Sequence, residues 1–459
     1  MANKPNEIFG HPKGLFILFF TEMWERFSFY GMRALLTLYL VQKTTGANPG
    51  LGWSKPDALS LYGWYLMLVY VAGMPGGYIA DKFLGQKKSV LLGCILLVFG
   101  HCILALEHLW AFYGGIAFII AGVGFLKPNI STMVGGLYAP GDERRDKGFT
   151  IFYMGINLGG FVAPLIVGYV GEKIGWHYGF GLAGIGMLIG MITFLAGKKH
   201  LTNVGNFLGT STNKIDQEDF KRPLNKIEKD RVVVLLLSFL IVFVFWAAFE
   251  QAGGLMNIYA SEKTNRHLLG WEVPATWFQS VNSMYILILG LPIAGIWAKR
   301  KLQGKESSAL FKMLVAVIVM GAGFLFMSAA SKQYDRQGAS SMSWLMLAYL
   351  FHTVGELCLS PVALSYITKL APAKYASLMM GIFWAVTGLG GKAAGLLGES
   401  AEKYGEFAVF TGIAIFCIIF SSLIFIFLKK LKTLSHGAED IALAKEKDQE
   451  VAAATLQEA

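Results

Sequence analysis

The chain has 459 residues, 54% of them hydrophobic and only 15% charged, with a net charge of +10 and a mean hydropathy of +0.51. Soluble chains of this size carry about 25% charged residues and divide into two or three domains, so this composition excludes that class and points to the membrane. The positive charge does not imply a nucleic-acid partner, because of where it falls along the chain.

Twelve apolar segments follow one another, each near the ~20 residues that cross a bilayer as a helix. They cover about 15–42, 58–80, 89–106, 109–137, 148–171, 178–197, 231–259, 275–298, 312–330, 343–370, 374–398 and 406–428. The first is too long for a cleavable signal peptide and has no small-residue cleavage site, so it is expected to stay as the first helix. Of the forty Lys and Arg, twenty-eight fall in the N-terminus, the even-numbered loops and the tail, and eight in the odd-numbered loops. This positive-inside asymmetry predicts that both termini are cytoplasmic, and a multi-pass protein of a bacterial-type inner (cytoplasmic) membrane is expected.

The fold class expected is an all-α membrane protein. Residues 1–197 and 231–430 form two six-helix bundles, 198–230 a polar linker between them, and 431–459 a solvated tail without chemistry of its own. Six helices, a linker and six more is the layout of transporters whose halves rock about a central site. GGYIADKFLGQKK, from Gly76, recurs loosely as LPIAGIWAKRKLQGK, from Leu291: small residues at a helix end, then a basic cluster. Cys94, Cys102, Cys358 and Cys417 lie within predicted helices and lack the spacing of a metal site or a disulfide framework.

Charges also fall inside the predicted helices. In TEMWERFSFYG and the two residues after it on helix 1, at 100° per residue, Glu22, Glu25, Arg26, Phe29, Tyr30 and Arg33 share about 140° of the circumference. A charge at mid-bilayer costs ~2.5–3.5 kcal/mol on insertion scales, so such groups face a cavity and find partners. Two carboxylates one turn apart repel each other, and the adjacent arginine, which keeps its proton, attracts both. A carboxylate between these influences is suited to binding and releasing protons. Helix 4 adds Lys127 in GFLKPNIS, helix 7 Glu250 in WAAFEQAGG, helix 10 His352 and Glu356 in FHTVGELCLSP, and helix 11 Lys392 in GLGGKAAG. Leaving His352 aside, four acids and four bases lie in the membrane, and equal numbers suggest ion pairing among them.

ExxER-F-x-x-Y-G on helix 1, GFLKPNIS, FYMGINLGG, FWAAFEQAGG, WFQSVN and GELCLSPVALSYITKLAP occur in this order along nearly the whole chain. In this the chain resembles the proton-dependent oligopeptide transporter family of the major facilitator superfamily. The resemblance implies that superfamily's fold and a symporter, not an enzyme, importing di- and tripeptides with protons by alternating access. Protons are the coupling ion, no cofactor is expected, and a monomer suffices. Glu22, Glu25, Arg26 and Glu250 would belong to proton coupling. Arg26, Arg33 and Lys127 would receive the peptide carboxylate, and Glu356 with Asn157 and Asn282 its amine. Tyr30, Tyr70 and Trp384 would line side-chain pockets, and Arg33 would pair with Glu250 to help close one face.

The chain departs from the family pattern in three places. Phe29 stands where tyrosine is usual, so any contact needing that hydroxyl is absent. Gly63 aligns with a histidine that animal members use in proton handling, so coupling must rest on carboxylates unless His352 takes part. The linker is too short and polar for the two extra helices of many bacterial members. A membrane-embedded enzyme finds no HExxH or GxSxG here, and a sensor would add a signalling domain. A family member moving another anionic or amino-acid-like substrate, such as nitrate, is the alternative. Glu356 discriminates, since an inorganic anion has no amine for it.

Overall fold

In the computed structural model, described over residues 7–139, 142, 144–202, 204–206, 223–372 and 375–438, twelve long helices carry the chain. They are α1 (Lys13–Val41), α2 (Lys55–Leu84), α3 (Gln86–Leu104), α4 (Leu109–Gly136), α5 (Arg144–Ala163, continuing to Lys173) and α6 (Trp176–Gly197). The second set is α7 (Lys226–Lys263), α8 (Trp277–Leu302), α9 (Ala309–Gln337), α10 (Met342–Leu370), α11 (Ala376–Glu399) and α12 (Glu406–Leu434). Eleven of them are long and apolar enough to cross a membrane by composition. The twelfth, α1, has the length but carries Glu22, Glu25, Arg26 and Arg33 inside it. An even number of spans leaves both ends of the chain on one face, and the opposite face is called here the far face.

Helix ends follow local chemistry more than hydropathy. α7 begins at Lys226, inside the expected linker, because Asn225 and Glu228 cap each other's backbone in a capping box. α12 continues to Leu434, past the expected boundary at 430, since its basic last turn suits the negative end of the helix dipole. Ser54, Ser308 and Ser341 cap α2, α9 and α10. Most of the expected linker and the tail from 439 onward lie outside the described residues.

Within the first half α1 packs on α5 and α6, and α3 on α4 and α6; in the second, α9 packs on α10 and α12, and α7 on α11. Across the halves, α2 meets α11 and α5 meets α8. Small residues make the α2–α11 crossing close: a Cβ on Gly63 would lie 3.1 Å from Gly395 Cα and 3.2 Å from the Lys392 carbonyl oxygen. A histidine at position 63 has no space in this arrangement.

The polar ties between the halves gather toward the far face. Thr37 donates to the Gly253 carbonyl at 3.0 Å, Asn257 to the Ala34 carbonyl at 3.0 Å, and Lys55 to Glu262 at 2.6 Å. Trp277 and Ser280 of α8 donate to the Leu165 and Phe161 carbonyls of α5. Further along α8 toward the termini, Leu287, Ile288 and Leu291 are exposed, as are Met74 and Tyr78 on α2. The cleft between the halves is therefore tied shut at the far face and has its looser end at the termini.

Candidate functional site

Four clusters of polar side chains occupy the middle of the bundle. The first is on α1, where Glu22, Glu25 and Arg26 are all buried. Arg26 Nε lies 3.0 Å from Glu22 Oε1, and the same guanidinium pairs with Glu25. The Phe29 ring lies under Arg26, 5.1 Å from the guanidinium carbon, and stacks against Tyr65 of α2. Beyond Arg26, no hydrogen-bond donor among the described residues reaches Glu22 Oε2 or either Glu25 oxygen. Two carboxylates share one permanent cation, so a single proton makes the cluster neutral. Such a cluster can hold one proton in a dry site and give it up when water or another cation arrives.

The second cluster joins the halves. Arg33 Nη2 of α1 lies 2.7 Å from Glu250 Oε2 of α7, with both side chains buried. Tyr62 of α2 accepts from Arg33 Nε at 3.1 Å and donates toward the Glu250 carboxylate and carbonyl, each at 3.2 Å. α7 breaks here into a short 3-10 turn, Glu250–Ala252, followed by Gly253 and Gly254. A Cβ on Gly253 would lie 2.7 Å from Arg33 Nε, so the glycines of EQAGG let the broken helix reach the ion pair.

The third cluster is built on Lys127, next to Pro128 inside α4. Its ammonium lies 4.2 Å from the Tyr70 ring centroid and 5.0 Å from that of Trp384, and the two rings stack at 6.0 Å and 10°. Tyr70 belongs to α2 and Trp384 to α11, so both halves hold the lysine. It makes no ion pair among the described residues, and cation–π contact is its electrostatic support.

In the fourth, Glu356 of α10 accepts from Asn282 Nδ2 of α8 at 2.9 Å, and the same amide reaches the Thr353 hydroxyl at 3.0 Å. Asn157 of α5 donates to the Tyr153 carbonyl one turn back, at 3.0 Å, so its amide is held by its own helix. Tyr30 stands between these groups: its ring packs on Gly160 of α5, and the Arg33 guanidinium lies 5.9 Å from its centroid.

The equal count of acids and bases does not reflect how they pair. Arg26 serves two acids, Arg33 serves Glu250, and Lys392 lies 3.9 Å from Glu399, nearer the far face, and 4.8 Å from the Trp64 ring centroid. Lys127 and Glu356 form no salt bridge among the described residues. His352 is fully buried against Phe324, with neither ring nitrogen hydrogen-bonded to a described residue, and stands apart from the four clusters. Sequence reasoning missed Tyr62 and the Thr37–Asn257 contact. The signal for Tyr62 was its hydroxyl inside an apolar helix, which has to find a partner.

Twelve membrane-length helices in two sets of six, closing on a cleft that holds ionised groups from both, define a secondary transporter. The family model described as Major Facilitator Superfamily matches residues 15–395. Peptide transporter YePEPT of Yersinia enterocolitica subsp. palearctica serotype O:3 is 36% identical over 85% of this chain and 88% of that protein. A di-/tripeptide transporter of Lactococcus lactis subsp. cremoris is 34% identical over 82% and 87%. The crystal structure of a peptide transporter, POT, in complex with sulfate superposes with a TM-score of 0.87 at 32% identity, covering 93% of this chain and 96% of that one. The chain belongs to the major facilitator superfamily and, within it, to the proton-dependent oligopeptide transporter (POT) family.

Proposed function

We propose that this protein imports di- and tripeptides together with protons, by alternating access between its two halves. One observation carries the reading: Lys127 in the first half and Glu356 in the second are ionisable side chains of the cleft that form no salt bridge among the described residues. A short peptide is a zwitterion and supplies a partner charge for each at once. Its carboxylate fits the wall of Lys127, Arg26 and Arg33. Its ammonium fits Glu356, with Asn282 and Asn157 beside it, and Tyr30, Tyr70 and Trp384 are placed to contact its side chains. The names of the relatives support the substrate class.

The proton is assigned to the helix 1 cluster. With Glu22 or Glu25 protonated, Arg26 is matched by one carboxylate; with both ionised, the cluster carries an excess negative charge that favours pairing elsewhere. Glu250 couples this cycle to closure of the far face through Arg33. The excess of Lys and Arg on the face of the termini supports a cytoplasmic placement of that face in a bacterial-type inner membrane, and every cluster is complete within one chain, which supports a working monomer.

Competition by end-blocked dipeptides tests the reading. Amidating the carboxyl end or acetylating the amino end removes one charge-assisted bond, worth ~1.5–3 kcal/mol, so each blocked dipeptide should compete at least about tenfold less well than the free one. Equal competition by the acetylated peptide, or by nitrate, would favour an anion transporter instead.

A further inference from the structure

α8 starts at the far face without a cap of its own. Thr276 stands at the N-cap position without a side-chain cap bond, and the N–H groups of Trp277, Phe278 and Gln279 turn back onto the Pro274, Ala275 and Thr276 carbonyls, which leaves those of Ala275 and Thr276 to find an acceptor outside the helix. The acceptor comes from the other half of the molecule. Glu172, near the end of α5, accepts from Ala275 N at 3.0 Å, from Thr276 N at 2.8 Å and from the Thr276 hydroxyl at 2.6 Å. Gly168, one turn earlier, lets this approach happen, because Thr276 Oγ1 and Cβ fill the place its Cβ would take. Arg266, in the α7–α8 loop, stands 4.0 Å from Glu172 and 2.8 Å from Glu272, which in turn pairs with Lys173 at 2.6 Å. Both Glu172 oxygens thus bond to groups of the second half.

We propose that Glu172 is a positioning residue for alternating access: it caps α8 across the interface only while the far face is closed, and so sets how often that face opens. The proposal rests on the alternating-access reading above. Opening the far face separates a carboxylate from two backbone donors, a hydroxyl and the positive end of a helix dipole at the same moment. Water must then hydrate both sides, so the state with Glu172 in place is favoured. Glu172 acts through α8, with no contact to the central clusters, and its influence is therefore on the population of states.

Spin labels at Thr45→Cys and Lys403→Cys, exposed on the far face of opposite halves, report that population by pulsed dipolar distance measurement. The full chain is used in lipid vesicles, with Cys94, Cys102, Cys358 and Cys417 replaced by alanine. Glu172→Ala should raise the ratio of long to short distances about tenfold, which corresponds to the loss of one charge-assisted bond. Glu172→Gln, which keeps an acceptor oxygen without the charge, should shift it less. Thr276→Val, which removes only the hydroxyl donor, should shift it about two- to threefold. A wild-type distance distribution in folded Glu172→Ala, or in Thr276→Val if the first variant does not fold, overturns the proposal. A wild-type protein that never samples the long distance at any pH or peptide concentration overturns the alternating-access reading itself, and the cap proposal with it.

Discussion

Arg33 and Glu250, 217 residues apart in sequence, meet at 2.7 Å in a buried ion pair that Tyr62 holds from a third helix. Removing one partner of a buried pair costs about 3–5 kcal/mol because the other charge is left uncompensated. Arg33→Glu and Glu250→Arg should each abolish gradient-driven uptake, and the double exchange should outperform both. Arg33 also faces the cleft, so peptide affinity measured alongside separates lost closure from lost binding. A double variant no better than either single would remove direct pairing from the account.

Tyr62→Phe removes the hydroxyl that both accepts from Arg33 and donates to Glu250. Losing this link should weaken closure of the far face by about 1–3 kcal/mol, seen as faster modification of a cysteine placed in the cleft by a membrane-impermeant reagent added on the far side. Unchanged modification would mean that the ion pair keeps its geometry without the tyrosine.

The α2–α11 crossing predicts a stability difference between two glycines. A Cβ on Gly395 would lie 2.6 Å from the Leu59 carbonyl oxygen and 2.9 Å from Gly63 Cα, whereas one on Gly412 meets nothing within 4 Å. Overpacking of this kind costs about 1–3 kcal/mol, so Gly395→Ala should lower the melting temperature in detergent. Gly412→Ala should leave it unchanged or raise it, since alanine is the better helix former.

The orientation of the peptide gives a cross pattern. Lys127→Ala should reduce affinity for a free dipeptide but matter little for an amidated one, whose carboxylate is already gone. Glu356→Ala should do the same with respect to an acetylated one. Competition against a labelled dipeptide reads all four combinations. Losses that pair the other way round would reverse the assignment of the walls.

Much of this was legible in the sequence, for reasons that can be named. Membrane-length apolar runs located all twelve helices, α1 among them, and the charges of α1 could be read as one stripe of an otherwise apolar run. The family resemblance implied a site that includes Arg33 and Glu250, Tyr70 and Trp384, and Asn282 and Glu356, and in the structure each of these pairs is in contact. What could not be read depends on how helices dock. Asn157 donates to its own helix because its amide comes within reach of the Tyr153 carbonyl one turn back. Lys392 turns toward Glu399 at the far face and not toward the central acids. Glu172 caps a helix that follows it by about a hundred residues, with no local pattern to announce it.

The central claim is that peptide moves with protons taken up by the helix 1 carboxylates. Accumulation of a radiolabelled dipeptide in vesicles, with and without an imposed pH gradient, tests it for the wild type, Glu22→Gln and Glu25→Gln. The account predicts that the wild type concentrates peptide only with the gradient. Each variant should bring peptide to equilibrium but not above it, while still exchanging internal for external peptide, which needs binding and rocking but no net proton movement. Wild-type uptake indifferent to the gradient, or variants that concentrate peptide as well as the wild type, would contradict it.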